Sequence, residues 1–169
     1  MAGYATGMTS AVDFFLKIDG VEGESLDDKH KNEIQLLSFS FGATQAGTSG
    51  IGGGAGSGKV QLHDFQVTKH FDKASPKLFE ACATGKHTPK VVLTCRKAGG
   101  TQQEYLKYTF SEVLISSISQ SGSGSEVLPT ENVSMNFSKI EIEYKPQDEK
   151  GGLGGVVKAG WDAAKNVKV

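Results

Sequence analysis

The sequence predicts a mainly β protein: a small β-barrel of two packed sheets with one flanking α-helix and one long extended loop. Three observations support this fold class. Most of the chain alternates apolar and polar residues with a period of two, as strands covered on one face do. The apolar face twice changes parity within a segment, which indicates a small closed barrel rather than a flat sheet. Only one segment has the apolar stripe of a substantial helix.

Each strand is predicted from its own alternation. In "VDFFLKI" every second residue is apolar. In "KVQLHDFQVTKHF" the parity changes between Leu62 and Phe65. In "ENVSMNFSKIEIEY" it changes between Phe137 and Ile140, as at a bend or bulge. The strands "KVVLTCRKA" and "EYLKYTFSEVLISSIS" are joined through "GGTQQ", which predicts a hairpin.

The segment "EIQLLSFSFG" is predicted as a strand with two different faces. Leu37, Phe39 and Phe41 share one face. Ser38 and Ser40 lie between them and point to the opposite face. A register error of one residue would exchange the two faces.

One helix is predicted in "ASPKLFEACATGKH". Ser75 is expected as its N-cap, Pro76 lies in its first turn and Gly85 follows its last turn. Its apolar stripe is expected to pack on the outside of the barrel and consists of Leu78, Phe79, Cys82 and Ala83.

The chain of 169 residues is long enough for one domain with a buried core. We predict the barrel domain over residues 11–146. Residues 1–10 form an N-terminal extension that we expect to be disordered. Residues 147–169 form a glycine-rich C-terminal tail that we expect to be mobile unless a partner fixes it.

The charge balance excludes some partners. The formal net charge is -1, from 18 Lys+Arg and 19 Asp+Glu, which gives no field to attract nucleic acid or an anionic membrane. No stretch approaches the ~20 apolar residues of a membrane span. "MAGYATGMTS" has neither the basic nor the apolar region of a secretory signal peptide. We therefore expect no nucleic acid, no membrane insertion and no cleaved leader.

The stretch "GTSGIGGGAGSGKV" contains a near-match to a phosphate-binding loop. Such a loop needs a buried strand before it, a helix after it, and Ser or Thr after the lysine to bind Mg²⁺. Val60 follows Lys59, no buried strand precedes the motif, and "KVQLHDF" after it alternates like a strand. A nucleotide site is not supported, and a long connection of this kind is more typical of a contact with another molecule.

No catalytic or metal-binding constellation is found, so the sequence predicts a protein that is not an enzyme, without a cofactor or metal. His63 and Asp64 are adjacent on a strand and point to opposite faces. His70 and Asp72 share one face, as surface neighbours often do. The other candidates have no partner of the required type at the required spacing; they are His30, His87, Cys82 and Cys95.

Several segments in a fixed order resemble the Hcp family, the haemolysin-coregulated tube proteins of bacterial type VI secretion. They are "VDFFLKIDGVEGES", "GKVQLHDFQVTKHFDKASPKLFEACATGKH", "LTCRKAGG" with "EYL" beyond it, "TENVSMNFSKIEIEY" and the "GW" at residues 160–161. The likeness covers residues 11–169. It implies a barrel that assembles into a hexameric ring, with rings stacked into a hollow inner tube. The partners implied are further copies of this chain, a spike protein, a contractile sheath and effector proteins.

The resemblance also implies roles for two sets of residues. Ser38 and Ser40 would face the lumen and contact effectors, while Phe39 and Phe41 fill the barrel. A loop that reaches the adjacent ring would consist of Gly47, Thr48, Ser49, Gly50, Ile51, Gly52, Gly53, Gly54, Ala55, Gly56, Ser57 and Gly58. The protein would reside in the bacterial cytoplasm and then be secreted to the extracellular space or a target cell without a cleaved signal peptide.

Two other functions stay open from the residues alone. A monomeric β-barrel that binds a small ligand is the alternative, because small barrels often enclose such sites. A nucleotide-dependent enzyme is the weaker one, because the phosphate-loop match fails. Six copies per particle would favour the ring, and one copy would favour the ligand barrel.

Overall fold

The computed structural model describes residues 11–45, 59–98 and 102–169. These residues form twelve strands and one helix. The elements are β1 (Val12–Ile18), β2 (Ile34–Leu36), β3 (Ser38–Ser40), β4 (Ala43–Gln45), β5 (Val60–Leu62), β6 (Phe65–His70), α1 (Ser75–Thr84), β7 (His87–Lys97), β8 (Glu104–Ser121), β9 (Thr130–Asn136), β10 (Lys139–Tyr144), β11 (Val157–Asp162) and β12 (Val167–Lys168).

Six lengths of chain close into a barrel. β1 pairs with β2 and β7, β7 pairs with β8, β8 with β9, β9 with β6, and β6 with β3. Since β2 and β3 are separated only by Leu37, they act as one bent strand that completes the circle. All of these pairs are antiparallel, so the predicted fold class, a small barrel with a flanking helix, is confirmed.

The long strand β8 belongs both to the barrel and to the sheet that extends from it. Along one edge of β8, the second half pairs with β9, which is a barrel strand, and the first half pairs with β10. β10 pairs with β11, and β11 pairs with β12. These three strands form a sheet that extends beyond the barrel, which we call the flap. The register of β8 shifts between Ile115 and Ser117, which gives the bulge expected where a long strand turns between layers. A separate two-stranded sheet is formed by β4 and β5.

Aromatic side chains fill the interior of the barrel. Phe65 and Phe110 stack with ring centroids 4.4 Å apart, and both are fully buried. Phe110 also contacts Phe137 at 4.8 Å, and Phe39 contacts Phe14 edge-on at 5.3 Å. Burial of this kind contributes roughly 2 kcal/mol per large side chain. In the described part of the chain, the space that a ligand would occupy in other small barrels is therefore taken by side chains.

The helix begins one residue earlier than predicted. Ala74 is the N-cap and no side chain caps the helix there, whereas Ser75 is its first residue. Gly85 ends the helix with φ 64°, as expected of a left-handed C-cap. Leu78 is buried as predicted, but Phe79 is 58% exposed, so its predicted place on the packed stripe is wrong. The contact face is instead made by Ala74, Leu78, Ala81 and Cys82.

β1 is covered on both faces, which its simple alternation did not predict. The side chain of Phe15 points to the face opposite that of Leu16 and Ile18, yet all three residues are buried. The ring of His30 stacks on Phe15 with centroids 4.3 Å apart. The loop between β1 and β2 therefore folds back over the outer face of the barrel.

The C-terminal segment also differs from the expected tail. β11 pairs with β10 along its whole length, and β12 folds back onto the end of β11. Gly160 allows the close approach of the last residue, because a Cβ there would meet the side chain of Val169 at 2.9 Å. In the described residues, no helix has the length and apolar character to cross a lipid bilayer.

Candidate functional site: an uncharged polar face

Three strands, β3, β6 and β9, together with the second half of β8 build one polar face on the outside of the barrel. The cross-strand register aligns residues in two rows. One row runs through Ser38, Thr68, Asn132 and Ser119. The next row runs through Ser40, Gln66, Ser134 and Ser117. Since alternate residues of a strand share a face, all eight side chains point the same way.

The opposite face of these strands belongs to the core. Val67, Val133 and Met135 are buried, and Phe39 packs against them between Ser38 and Ser40. Ser38 and Ser40 are both exposed. The predicted alternation of this strand is therefore correct for both serines and both phenylalanines. Leu37 is the exception, because it is 49% exposed at the break between β2 and β3.

The polar face presents only hydroxyl and amide groups in its two central rows. Thr68 donates a hydrogen bond to Asn132 Oδ1 at 2.7 Å, and the rows line an open groove of about 290 Å³. A third row adds His70 beside Thr130 and Ser121. These rows offer weak hydrogen bonds in many directions and carry no carboxylate or ammonium group. A fixed charge lies at the end of the face beyond the second row, where the carboxylate of Asp64 accepts hydrogen bonds from Ser116 and Asn136.

A buried ion pair lies directly under this face. Lys69 Nζ and Glu131 Oε1 are 2.6 Å apart, and neither side chain is exposed. Lys69 also donates to Asp72 Oδ1 at 2.7 Å, and Ser75 donates to Glu131 at 2.6 Å. Burial opposes ionisation of Glu131 most strongly, but hydrogen bonds from Lys69, Ser75 and Gln120 together lower its pKa. These contacts connect the first turn of α1 and the residues just before it to β6 and β9, the strands that carry the polar face.

A second polar cluster holds the loop between β1 and β2. Arg96 is almost fully buried and donates to both carboxylate oxygens of Asp27, at 2.9 and 2.7 Å. The hydrogen bond from Arg96 lowers the pKa of Asp27 to about 2. His30 lies beside this pair, with Nδ1 2.8 Å from Glu33 and Nε2 2.8 Å from Glu104. The sequence reasoning missed this cluster, because its residues are far apart in the chain.

The candidate catalytic residues do not assemble. His30 is held in the structural cluster just described, and Asp72 contacts Lys69 rather than His70. Cys95 lies in the core, and burial raises the pKa of its thiol to about 12. Among the residues that the structure describes, no group of three or more His, Cys, Asp or Glu side chains is placed to hold a metal.

The twelve residues predicted as the ring-stacking loop, 47–58, lie outside the described residues. The strands that flank them are described: β4 pairs with β5, with Gln45 opposite Val60. The predicted role of the loop stays a prediction.

Fold and face together define a class of protein: a closed, filled β-barrel whose notable surface is an uncharged sheet face rather than a pocket. The family described as "Type VI secretion system effector, Hcp" matches residues 15–144. Protein hcp1 of Pseudomonas aeruginosa is 49% identical over 160 residues, which cover 94% of this chain and 99% of that protein.

Solved structures of the same family have a similar fold. Hcp1 from Salmonella typhimurium has a TM-score of 0.79 at 39% identity, covering 95% of this chain and all of that one. A type VI secretion system effector from Yersinia pestis has a TM-score of 0.73 at 37% identity, covering 89% of this chain and 99% of that one. The chain belongs to the Hcp family of type VI secretion proteins, as the sequence resemblance predicted.

Family membership decides between the predicted functions at a coarse level. It supports a tube protein of type VI secretion, and no observation favours the small-ligand alternative. One structural neighbour, Hcp3 from Pseudomonas aeruginosa, is described as a secreted protein.

Proposed function

We propose that six copies of this chain form a ring whose inner wall is the uncharged polar face, and that stacked rings carry effector proteins in the resulting channel. The observation that carries this proposal is the pair of polar rows through Ser38 and Ser40. A channel that carries cargoes of different sequence needs a wall that wets easily and holds none of them too tightly. Hydroxyl and amide groups without charge meet that requirement, since fixed charges would repel some cargoes and retain others.

The strand edges beside this face support ring formation. In the described residues, β3 pairs with β6 on one edge, and no strand pairs with its other edge. The ladder between β7 and β8 ends at Leu114, so residues 115–121 of β8 pair only with β9. Unpaired backbone donors and acceptors favour the addition of another strand. The pairing of β3 in one copy with the end of β8 in the next would extend the polar face around a ring.

The remaining partners follow from this assembly. Residues 47–58 would reach the adjacent ring, since the strands that flank them, β4 and β5, form a two-stranded sheet separate from the barrel sheet. A contractile sheath would surround the tube, and a spike protein would close its end. The protein would leave the bacterial cytoplasm without a cleaved signal peptide and would have no catalytic role. The three units, residues 1–10, 11–146 and 147–169, would then be an N-terminal extension, the barrel domain and a glycine-rich C-terminal segment.

Native mass spectrometry of the purified protein tests this proposal. The expected result is a particle of six copies. A single copy at all concentrations would contradict the ring and would return attention to a monomeric barrel. The same sample carrying a bound effector should retain six copies, because cargo occupies the channel and replaces no subunit.

A further inference from the structure

The flap has one apolar face. The register aligns Ile142 with Tyr108 of β8 and with Ala159 of β11, and it aligns Tyr144 with Val157. This is the face that continues from the barrel core, because the row before it pairs buried Phe110 with buried Ile140. We call the outer part of it the apolar flap face; it consists of Ile142, Tyr144, Val157 and Ala159.

The side chains of the apolar flap face become more exposed with distance from the barrel. Ile140 is buried and Ile142 is half-buried. Tyr144 is 46% exposed and Val157 is 63% exposed. A core face that runs into solvent is unusual for a single folded chain, since exposed neighbouring apolar side chains mark contact surfaces.

The reverse face of the same strands is mostly charged, with two exposed valines, Val167 and Val169, beside Asp162 and Gly160. Glu141 and Glu143 alternate with the apolar residues of β10, and Lys158 of β11 lies 2.5 Å from Glu143. One apolar and one charged face are typical of a sheet that is covered on one side only. The flap therefore has a side that requires a cover, and it is the side of Tyr144 and Val157.

The rest of this chain has little with which to cover that side. Outside the described residues, the large apolar side chains are Met1, Tyr4, Met8 and Ile51, divided between two separate segments. The segment 46–58 is otherwise glycine, alanine, serine and threonine. Because these side chains are few and lie in two separate segments, a cover of matching apolar content is expected from another molecule.

We infer that the apolar flap face is a docking surface for the neighbouring copy of this chain within the same ring. This inference rests on the proposed function in one respect, that copies of this chain assemble. It adds a second contact, since the flap pairs with the first half of β8 and the proposed edge pairing uses the second half. A ring contact joins two different surfaces, so the flap needs no matching flap on the partner.

A pair of valine substitutions tests the docking surface. Val157→Glu places a charge on the apolar flap face, and Val167→Glu places the same charge at a 45% exposed valine aligned with Asp162 on the reverse face. Both sites are exposed, so both monomers are expected to keep the wild-type circular dichroism spectrum. In native mass spectrometry Val157→Glu should lose the six-copy particle, and Val167→Glu should retain it.

The outcomes separate this inference from the proposed function. If the wild type shows no six-copy particle, the proposed function fails. If the wild type forms rings and Val157→Glu forms them equally well, only the docking surface is overturned. Intact rings that no longer stack would place the contact between rings and would also overturn it. Loss of rings in both variants would remove the distinction between the two faces and reject the assignment.

Labelling tests the occupant directly. Val157→Cys is treated with a maleimide and the modified peptide is measured by mass spectrometry, so that Cys82 and Cys95 are read separately. Labelling at position 157 should slow on ring assembly and recover on dissociation. Protection that persists in the monomer and disappears when residues 1–10 are deleted would identify the N-terminal segment as the cover, and would overturn the inference.

Discussion

Lys69 and Glu131 form an ion pair without exposed side-chain surface, with Nζ 2.6 Å from Oε1, directly behind the polar face. Lys69→Met should leave the Glu131 carboxylate in the interior without its cation. Removal of one partner of a buried pair costs about 3–5 kcal/mol of unfolding free energy. Urea denaturation of the wild type and of Lys69→Met measures this loss of unfolding free energy.

Two further variants control that measurement. Lys77→Met removes one partner of an exposed pair on α1 and should change the unfolding free energy by about 0.5 kcal/mol or less. The double change Lys69→Met with Glu131→Leu should recover most of the loss, because an apolar pair leaves no buried charge. Equal losses in the single and the double variants would contradict this interpretation.

The polar face should tolerate a larger side chain without loss of assembly. Ser40→Gln fills part of the groove between β3 and β6 while adding no charge and no contact with the core. We expect six-copy rings that retain less effector during co-purification. Ser123→Gln in the exposed turn after β8 is the matched control and should retain effector normally. Unchanged retention in Ser40→Gln would place Ser40 outside the channel.

Deletion of residues 47–58 should separate ring formation from ring stacking. The strands that flank the deletion lie apart from the barrel sheet, so the hexamer should persist while stacks become rare. Electron microscopy counts single and stacked rings. Replacement by a Gly/Ser segment of equal length shows whether the loop acts through its reach or through its own side chains. Normal tubes after the deletion would disprove the stacking role.

The sequence predicted those features that depend on neighbouring residues. The alternation of Phe39 with Ser38 and Ser40 is set by the pleat of one strand, so it could be read directly. The parity change between Phe137 and Ile140 correctly indicated a break, which the structure resolves into β9 and β10. Gly85 ends the helix as its conformational freedom suggests.

Features that depend on distant residues could not be predicted in the same way. Lys69 falls in the apolar phase of its strand with Phe65 and Val67, and only the register with β9 identifies Glu131 as its buried partner. Phe15 occupies the polar phase of its strand and is buried because His30 stacks on it. The alternation of Val157, Ala159 and Trp161 was present in the sequence but was obscured by the glycines around it.

The pair formed by Asp27 and Arg96 should make the protein less stable in acid. The pKa of Asp27 is lowered from 3.8 to about 2 by the hydrogen bond from Arg96. A lowered folded-state pKa contributes stability above the unfolded pKa, and that stability is lost as the pH falls from about 4 to about 2. Its size is on the order of 2 kcal/mol.

Thermal unfolding as a function of pH checks this assignment. Asp27→Asn should be less stable than the wild type at pH 7, and the difference should shrink as the pH falls through that window. Two curves that stay parallel from neutral pH to about pH 2 would show that the carboxylate of Asp27 does not contribute in this way.

Electron cryo-microscopy of the purified protein tests the central claim most directly, because it shows both the number of copies and the surface that faces the pore. The account predicts a ring of six copies with Ser38, Ser40 and their two polar rows around the channel. A sample of single copies would contradict it, and so would a ring lined instead by the charged face of the flap.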